Sequence, residues 1–135
     1  MTEIFEKVLI IDDDPIHNMV SSKLIEKAKF SNKTDKVLSG KLALEYLERN
    51  AAENALPKII FLDINMPLMN GWEFLSYFSK LMGDKSKDIP VLMLTSSISP
   101  DDIEKSKNHP LVFEFVTKPL SIDKLNDLRK RLISN

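Results

Sequence analysis

At 135 residues the chain fits one ordinary domain and leaves little room for a second. A composition that is 43% hydrophobic and 29% charged suits a packed core and argues against disorder, while the lack of cysteine excludes disulfides, thiolate metal sites and thiol nucleophiles. A formal net charge of -1 gives no broad basic surface for nucleic acid, and no apolar run reaches signal-peptide or membrane-spanning length, so a cytoplasmic protein with neither nucleic-acid nor membrane partner is expected.

The first predicted strand runs from Lys7 to Asp12, with Val8, Leu9, Ile10 and Ile11 contiguous before the acids Asp12, Asp13 and Asp14. Pro15 follows where a first helical turn accepts it. Ile16, Val20 and Leu24 then recur at i+4 spacing, with Met19 and Ala28 alongside, which predicts an amphipathic helix to about Lys29 with these residues on its buried face. Asn32 to Leu38 reads as a weaker, partly exposed strand at a sheet edge. A second helix opens at Gly40 with Leu44, Leu47 and Ala51 on one face, and Pro57 stops any continuation.

Ile59-Ile60-Phe61-Leu62 is an apolar run long enough for a strand buried on both faces and short for a helix. It stops at Asp63, and Asn65, Pro67 and Asn70-Gly71 mark the turn that follows. The third helix, from about Gly71, carries Phe74, Leu75, Phe78 and Met82 at three- and four-residue spacing, and Gly83-Asp84 begins a polar connection. Val91 to Leu94 is another apolar run, ending in Thr95-Ser96-Ser97. Pro100 starts a more polar helix of about two turns. Phe113 to Thr117 alternates as an edge strand does and stops at Lys118-Pro119. The last helix, from Ser121, places Ile122, Leu125, Leu128 and Leu132 on one stripe.

Five strands alternating with five helices imply an α/β fold, a doubly wound parallel sheet covered on both faces. Periodicity alone does not order the strands; 2-1-3-4-5, the flavodoxin-like order, is one common solution. In such a sheet Asp12 and Asp13, Asp63, Thr95 and Lys118 all fall at the carboxyl ends of strands, on the rim where ligands bind. Crowded carboxylates raise one another's pKa, and a hard divalent cation with oxygen ligands, Mg²⁺ rather than zinc, resolves the conflict. Carboxylate, Mg²⁺, ammonium and hydroxyl together are what a transferring phosphoryl group requires, with Asp63 as the nucleophile.

The motifs Ile10-Ile11-Asp12-Asp13-Asp14-Pro15, Leu62-Asp63-Ile64-Asn65-Met66-Pro67 with Asn70-Gly71, Leu94-Thr95-Ser96 and Thr117-Lys118-Pro119 resemble, in order and spacing, the receiver domain of two-component response regulators. The resemblance covers nearly the whole chain. It implies that Asp63 accepts a phosphoryl group from a phosphohistidine on a sensor histidine kinase or a histidine phosphotransfer protein. It implies that Asp13, Asp63 and the backbone carbonyl of Asn65 bind Mg²⁺, with Asp12 helping through water, and that Thr95 and Lys118 contact the phosphoryl oxygens. A cis bond before Pro119 and a switch aromatic at Phe115 are further implications. The resemblance implies that, when Thr95 moves toward the phosphoryl group, the Phe115 ring turns inward and alters the face formed by the fourth helix, fifth strand and fifth helix.

The chain departs from the family at Ser96, where alanine is common, while Asn65 and Ser97 stand at variable positions that tune phosphoryl loss. Asp14 is expected to cap the first helix or face water and not to bind metal, His17 and His109 to be solvated or packed, and Trp72 to be half-buried packing. The lysines from Lys80 to Lys87 are read as a solvated loop. The five units use up the chain, so a stand-alone receiver spanning 1–135 without a separate effector domain is expected, a signalling domain rather than a conventional enzyme. Its downstream protein target, and whether it is a monomer or dimerises on phosphorylation, stay open. Two rivals remain at this point: a haloacid-dehalogenase-like phosphohydrolase, which needs an acid where Asn65 stands, and a degenerate receiver that only binds a partner.

Overall fold

A computed structural model describes residues 4–96 and 99–134. The elements alternate as β1 (Phe5–Ile11), α1 (Pro15–Lys27), β2 (Ser31–Val37), α2 (Gly40–Ala52), β3 (Ile59–Asp63), α3 (Gly71–Met82), β4 (Val91–Thr95), α4 (Pro100–Asn108), β5 (Val112–Thr117) and α5 (Ile122–Ser134). All strand pairs are parallel and the order is β2-β1-β3-β4-β5. The flavodoxin-like fold expected from the sequence is therefore the one observed.

The continuous apolar strands explain the layering. Leu9, Ile11, Ile60, Leu62, Val91 and Met93 point to one face and pack with Ala43 and Leu47 of α2 and Phe74 and Phe78 of α3. Their neighbours Val8, Ile10, Ile59, Phe61, Leu92 and Leu94 point to the other and pack with Ile25 of α1 and Leu125 and Leu128 of α5. A period of two along strands that are apolar at every position requires a cover on both sides. Each fully buried Leu, Ile or Phe contributes about 1.5–3 kcal/mol of transfer free energy, so these two layers hold the rim in place. Among the described residues no helix is long and apolar enough to cross a membrane.

Two expectations are corrected. The buried face of α1 is Asn18, Ser21 and Ile25, whereas Ile16, Met19 and Val20 are exposed. The reason is local. Asn18 Nδ2 donates to the carbonyls of Asp12 and Val37 at 3.0 and 3.2 Å, tying together the ends of β1 and β2, and this polar requirement sets the rotation of the helix. Second, the polar connection after α3 is itself ordered as a 3-10 helix over Gly83–Asp88, with Ser86 buried and its hydroxyl donating to the Gly83 carbonyl.

Candidate functional site

The carboxyl ends of parallel strands share one rim, and the sequence places the chemistry there. β1 ends immediately before Asp12 and Asp13; β3 ends in Asp63; β4 ends in Thr95; β5 ends immediately before Lys118. Donor oxygens of Asp12, Asp13 and Asp63 lie within 4.8 Å of one another, with Asp13 exposed and the other two buried. Lys118 Nζ is 2.7 Å from Asp12 Oδ2 and 3.4 Å from Asp63 Oδ1.

Local contacts fix these groups. The Asp14 side chain caps α1, accepting from the backbone N–H of Ile16 at 2.9 Å, and Asp12 Oδ1 accepts from the Asp14 N–H at 3.0 Å. Beyond β3, Asn70 and Glu73 form a reciprocal capping box at the start of α3. The Gly71 N–H donates to the Ile64 carbonyl at 2.8 Å. A Cβ at Gly71 would stand 2.8 Å from the Asp63 carbonyl oxygen and 3.0 Å from Ile64 Cα, so only glycine lets α3 begin this close to the end of β3.

Asp63 is 5% exposed. Burial raises its carboxyl pKa to about 6; the Lys118 ammonium pulls the other way, and Asp12 and Asp13 push it further up. Three carboxylates against one ammonium leave the rim with excess negative charge. The donor set is oxygen only and the atoms are close enough to share one small ion, so the residues fit a hard divalent cation such as Mg²⁺.

The other residues singled out by sequence fall as follows. Thr95 is fully buried beside this rim, and its carbonyl accepts from the Lys118 N–H at 2.7 Å. Asn65 is exposed in the loop beyond Asp63, and Ser96 is exposed beyond β4. Ser97 lies outside the described residues. The Lys118–Pro119 bond is cis. Phe115, in β5, is partly buried against the layer that holds α2 and α3. It also lines a cavity of about 420 Å³ with Ile103, Ser106 and Phe113.

Trp72 is half-buried as expected, its Nε1 donating to Asp102 of α4 at 2.9 Å. His109 serves its own turn, Nδ1 accepting from the Leu111 N–H at 3.2 Å. His17 is packed on one edge, its Nδ1 3.9 Å from Asp12 Oδ2 at the rim. Asn18 escaped sequence reasoning altogether. Its only signal is a polar residue flanked by Ile16, Met19 and Val20, and that pattern does not say which face is buried.

Residues 8–130 match the family model of the response regulator receiver domain. The chain is 32% identical over 120 residues to the probable methanogenesis regulatory protein FilR2 of Methanothrix harundinacea, covering 87% of this chain and 75% of that protein. It is 32% identical over 126 residues to a protein-glutamate methylesterase/protein-glutamine glutaminase of Treponema denticola, covering 89% of this chain but only 30% of that longer protein. A two component response regulator from Cytophaga hutchinsonii, solved by crystallography, superposes with a TM-score of 0.93 at 32% identity, covering 98% of this chain and 100% of that one.

Proposed function

This chain belongs to the response regulator receiver family of two-component signalling, and from that premise we propose that Asp63 accepts a phosphoryl group from a phosphohistidine. The observation that carries the reading is a buried Asp63 at a strand end, with Asp12, Asp13 and the Lys118 ammonium gathered around it. The donor is a sensor histidine kinase or a histidine phosphotransfer protein. An Asp63 carboxylate oxygen attacks phosphorus, the P–N bond breaks, and the imidazole nitrogen leaves with the bonding pair and takes up a proton. The product is an acyl phosphate on Asp63.

Mg²⁺, when bound, neutralises charge on the phosphoryl oxygens and keeps the carboxylates ionised. Asp13, Asp63 and the Asn65 carbonyl would hold it, with Asp12 acting through water. Lys118 supplies a further positive charge to the oxygens that arrive. The Thr95 hydroxyl donates to one of them, and electrostatic positioning of this kind is the main lever available for phosphoryl transfer.

Output follows from the β4–β5 side of the sheet. Thr95 and Phe115 occupy neighbouring strands, and the cavity beside Phe115 offers its ring an alternative position next to Ile103 of α4. Ser106 is the buried residue of α4, so this helix has little core burial to resist a shift. A phosphoryl group that favours one packing by a few kcal/mol changes the populations, and with them the protein-binding face of α4, β5 and α5.

Intact-mass measurement after incubation with Mg²⁺ and acetyl phosphate or phosphoramidate tests the reading. Wild type should gain one phosphoryl group and Asp63→Asn none. A gain that survives the substitution removes Asp63 from the chemistry.

A further inference from the structure

His17 lies in the first turn of α1, in the segment whose cap, Asp14, also donates its backbone N–H to Asp12. The position of the ring is therefore tied to that of the acidic rim. One edge of the imidazole meets solvent, the side chain being 31% exposed. The other edge does not: Nδ1 is buried and makes no hydrogen bond among the described residues. It faces Asp12 Oδ2 at 3.9 Å, beyond hydrogen-bond reach, and that oxygen already accepts from Lys118 at 2.7 Å.

A buried polar atom left unpaired costs about 1–3 kcal/mol, and such atoms in native proteins nearly always find a partner. A cation bound at the rim brings a partner that suits this nitrogen. A hard divalent ion held by carboxylates retains several waters, and a metal-bound water turns its hydrogens outward, so it needs an acceptor. The neutral imidazole provides that acceptor at Nδ1 while Nε2 keeps its proton on the solvent side.

We propose that His17 is an outer contact of the divalent-cation site, its Nδ1 accepting a hydrogen bond from a water bound to the ion. The donor atoms within 4.8 Å of one another are those of Asp12, Asp13 and Asp63 and not of His17, so the contact is water-mediated and not direct ligation. The proposal rests on the reading of this rim as a Mg²⁺ site and adds a residue to it. The role is positional: His17 orients one water of the shell and through it couples the start of α1 to loading of the site. Outer partners of this kind change metal affinity about 10- to 100-fold when removed.

The chain has two histidines, and His109 sits in the turn before β5 as an internal reference. Selectively ¹⁵N-histidine-labelled protein, held at a pH where imidazoles are neutral, is titrated with MgCl₂ while calorimetry follows binding to wild type, His17→Ala, His17→Gln and Asp13→Asn. The His17 ring nitrogens should shift saturably in step with binding and settle in the tautomer protonated at Nε2, with His109 unmoved. His17→Ala should weaken Mg²⁺ about tenfold, and His17→Gln, which keeps a side-chain acceptor, should recover part of the loss. If wild type binds Mg²⁺, Asp13→Asn abolishes binding, and the His17 nitrogens stay still or His17→Ala binds as well as wild type, the role of His17 is refuted while the metal site stands. If wild type shows no saturable binding at millimolar Mg²⁺, the metal reading and the proposal fail together.

Discussion

Lys118 is bonded to Asp12 at 2.7 Å and lies farther, at 3.4 Å, from Asp63, the residue it is proposed to assist. Both partners of the shorter pair are nearly buried, with side chains 8% and 1% exposed. Removing one member of such a pair leaves an uncompensated buried charge, which costs about 3–5 kcal/mol. Lys118→Ala should therefore be destabilised by about 3 kcal/mol in EDTA, and Mg²⁺ should restore most of the loss by supplying the missing positive charge. Urea unfolding with and without Mg²⁺ measures this. The variant should keep metal binding yet lose most of the coupling between phosphorylation and partner affinity; unchanged coupling would show that the ammonium is dispensable.

Gly71 gives a test whose sign separates close packing from helix propensity. At an unconstrained helical position Ala is favoured over Gly by about 1 kcal/mol. Here the added methyl meets the Asp63 carbonyl oxygen at 2.8 Å, and overpacking against backbone costs about 1–3 kcal/mol. Gly71→Ala should lower the urea midpoint and slow phosphorylation by acetyl phosphate, because the backbone that must shift is that of the proposed acceptor, Asp63. A raised midpoint would mean that the start of α3 yields freely.

Titration of Asp63 sets a pH dependence in the metal-free protein. Its folded pKa is raised from 3.8 to about 6, chiefly by burial. The sign follows from linkage: protonated Asp63 is the better fit to the folded state, so its favourable contribution is full below about pH 4 and is lost as pH rises through about 6. Asp63→Asn should then stabilise the metal-free protein by about 3 kcal/mol at pH 7.5, since each pKa unit corresponds to about 1.4 kcal/mol, and by little at pH 4. Mg²⁺ should erase the advantage, because it favours the ionised carboxylate. Thermal melts of both proteins across pH 4 to 8, with and without Mg²⁺, measure the difference; an advantage independent of pH would place its origin elsewhere.

Asn18 binds two strand ends at once, its Nδ2 donating to the carbonyls of Asp12 and Val37. Asn18→Ala leaves the Asp12 carbonyl without this donor, at about 1–3 kcal/mol for a buried group, whereas the Val37 carbonyl keeps the Asp12 N–H at 3.2 Å. The expected loss is about 1–3 kcal/mol by urea unfolding, with weaker Mg²⁺ binding by calorimetry because Asp12 loses one of its anchors. A loss below about 0.5 kcal/mol, the ordinary range for surface positions, would show that water replaces the amide without penalty.

Much of this protein was legible in its one-dimensional pattern. The contiguous apolar runs at Val8–Ile11, Ile59–Leu62 and Val91–Leu94 are long enough for strands covered on both faces and short for helices, and alternation with helices implies a parallel sheet. Parallel strands put their carboxyl ends together, so Asp12, Asp63, Thr95 and Lys118 were assigned one rim without coordinates. What the pattern could not decide was anything that depends on a helix rotating to meet a polar demand. The spacing of Ile16, Val20 and Leu24 pointed α1 inward along that line, but Asn18 instead turns in to donate to the Asp12 and Val37 carbonyls at the ends of β1 and β2. That rotation leaves Ile16 and Val20 in solvent and carries His17 Nδ1 to within 3.9 Å of Asp12. Hydrophobic periodicity measures how much apolar surface a helix has to bury, whereas the hydrogen bonds owed by its neighbours decide which side goes down, and those neighbours are known only once the chain has folded.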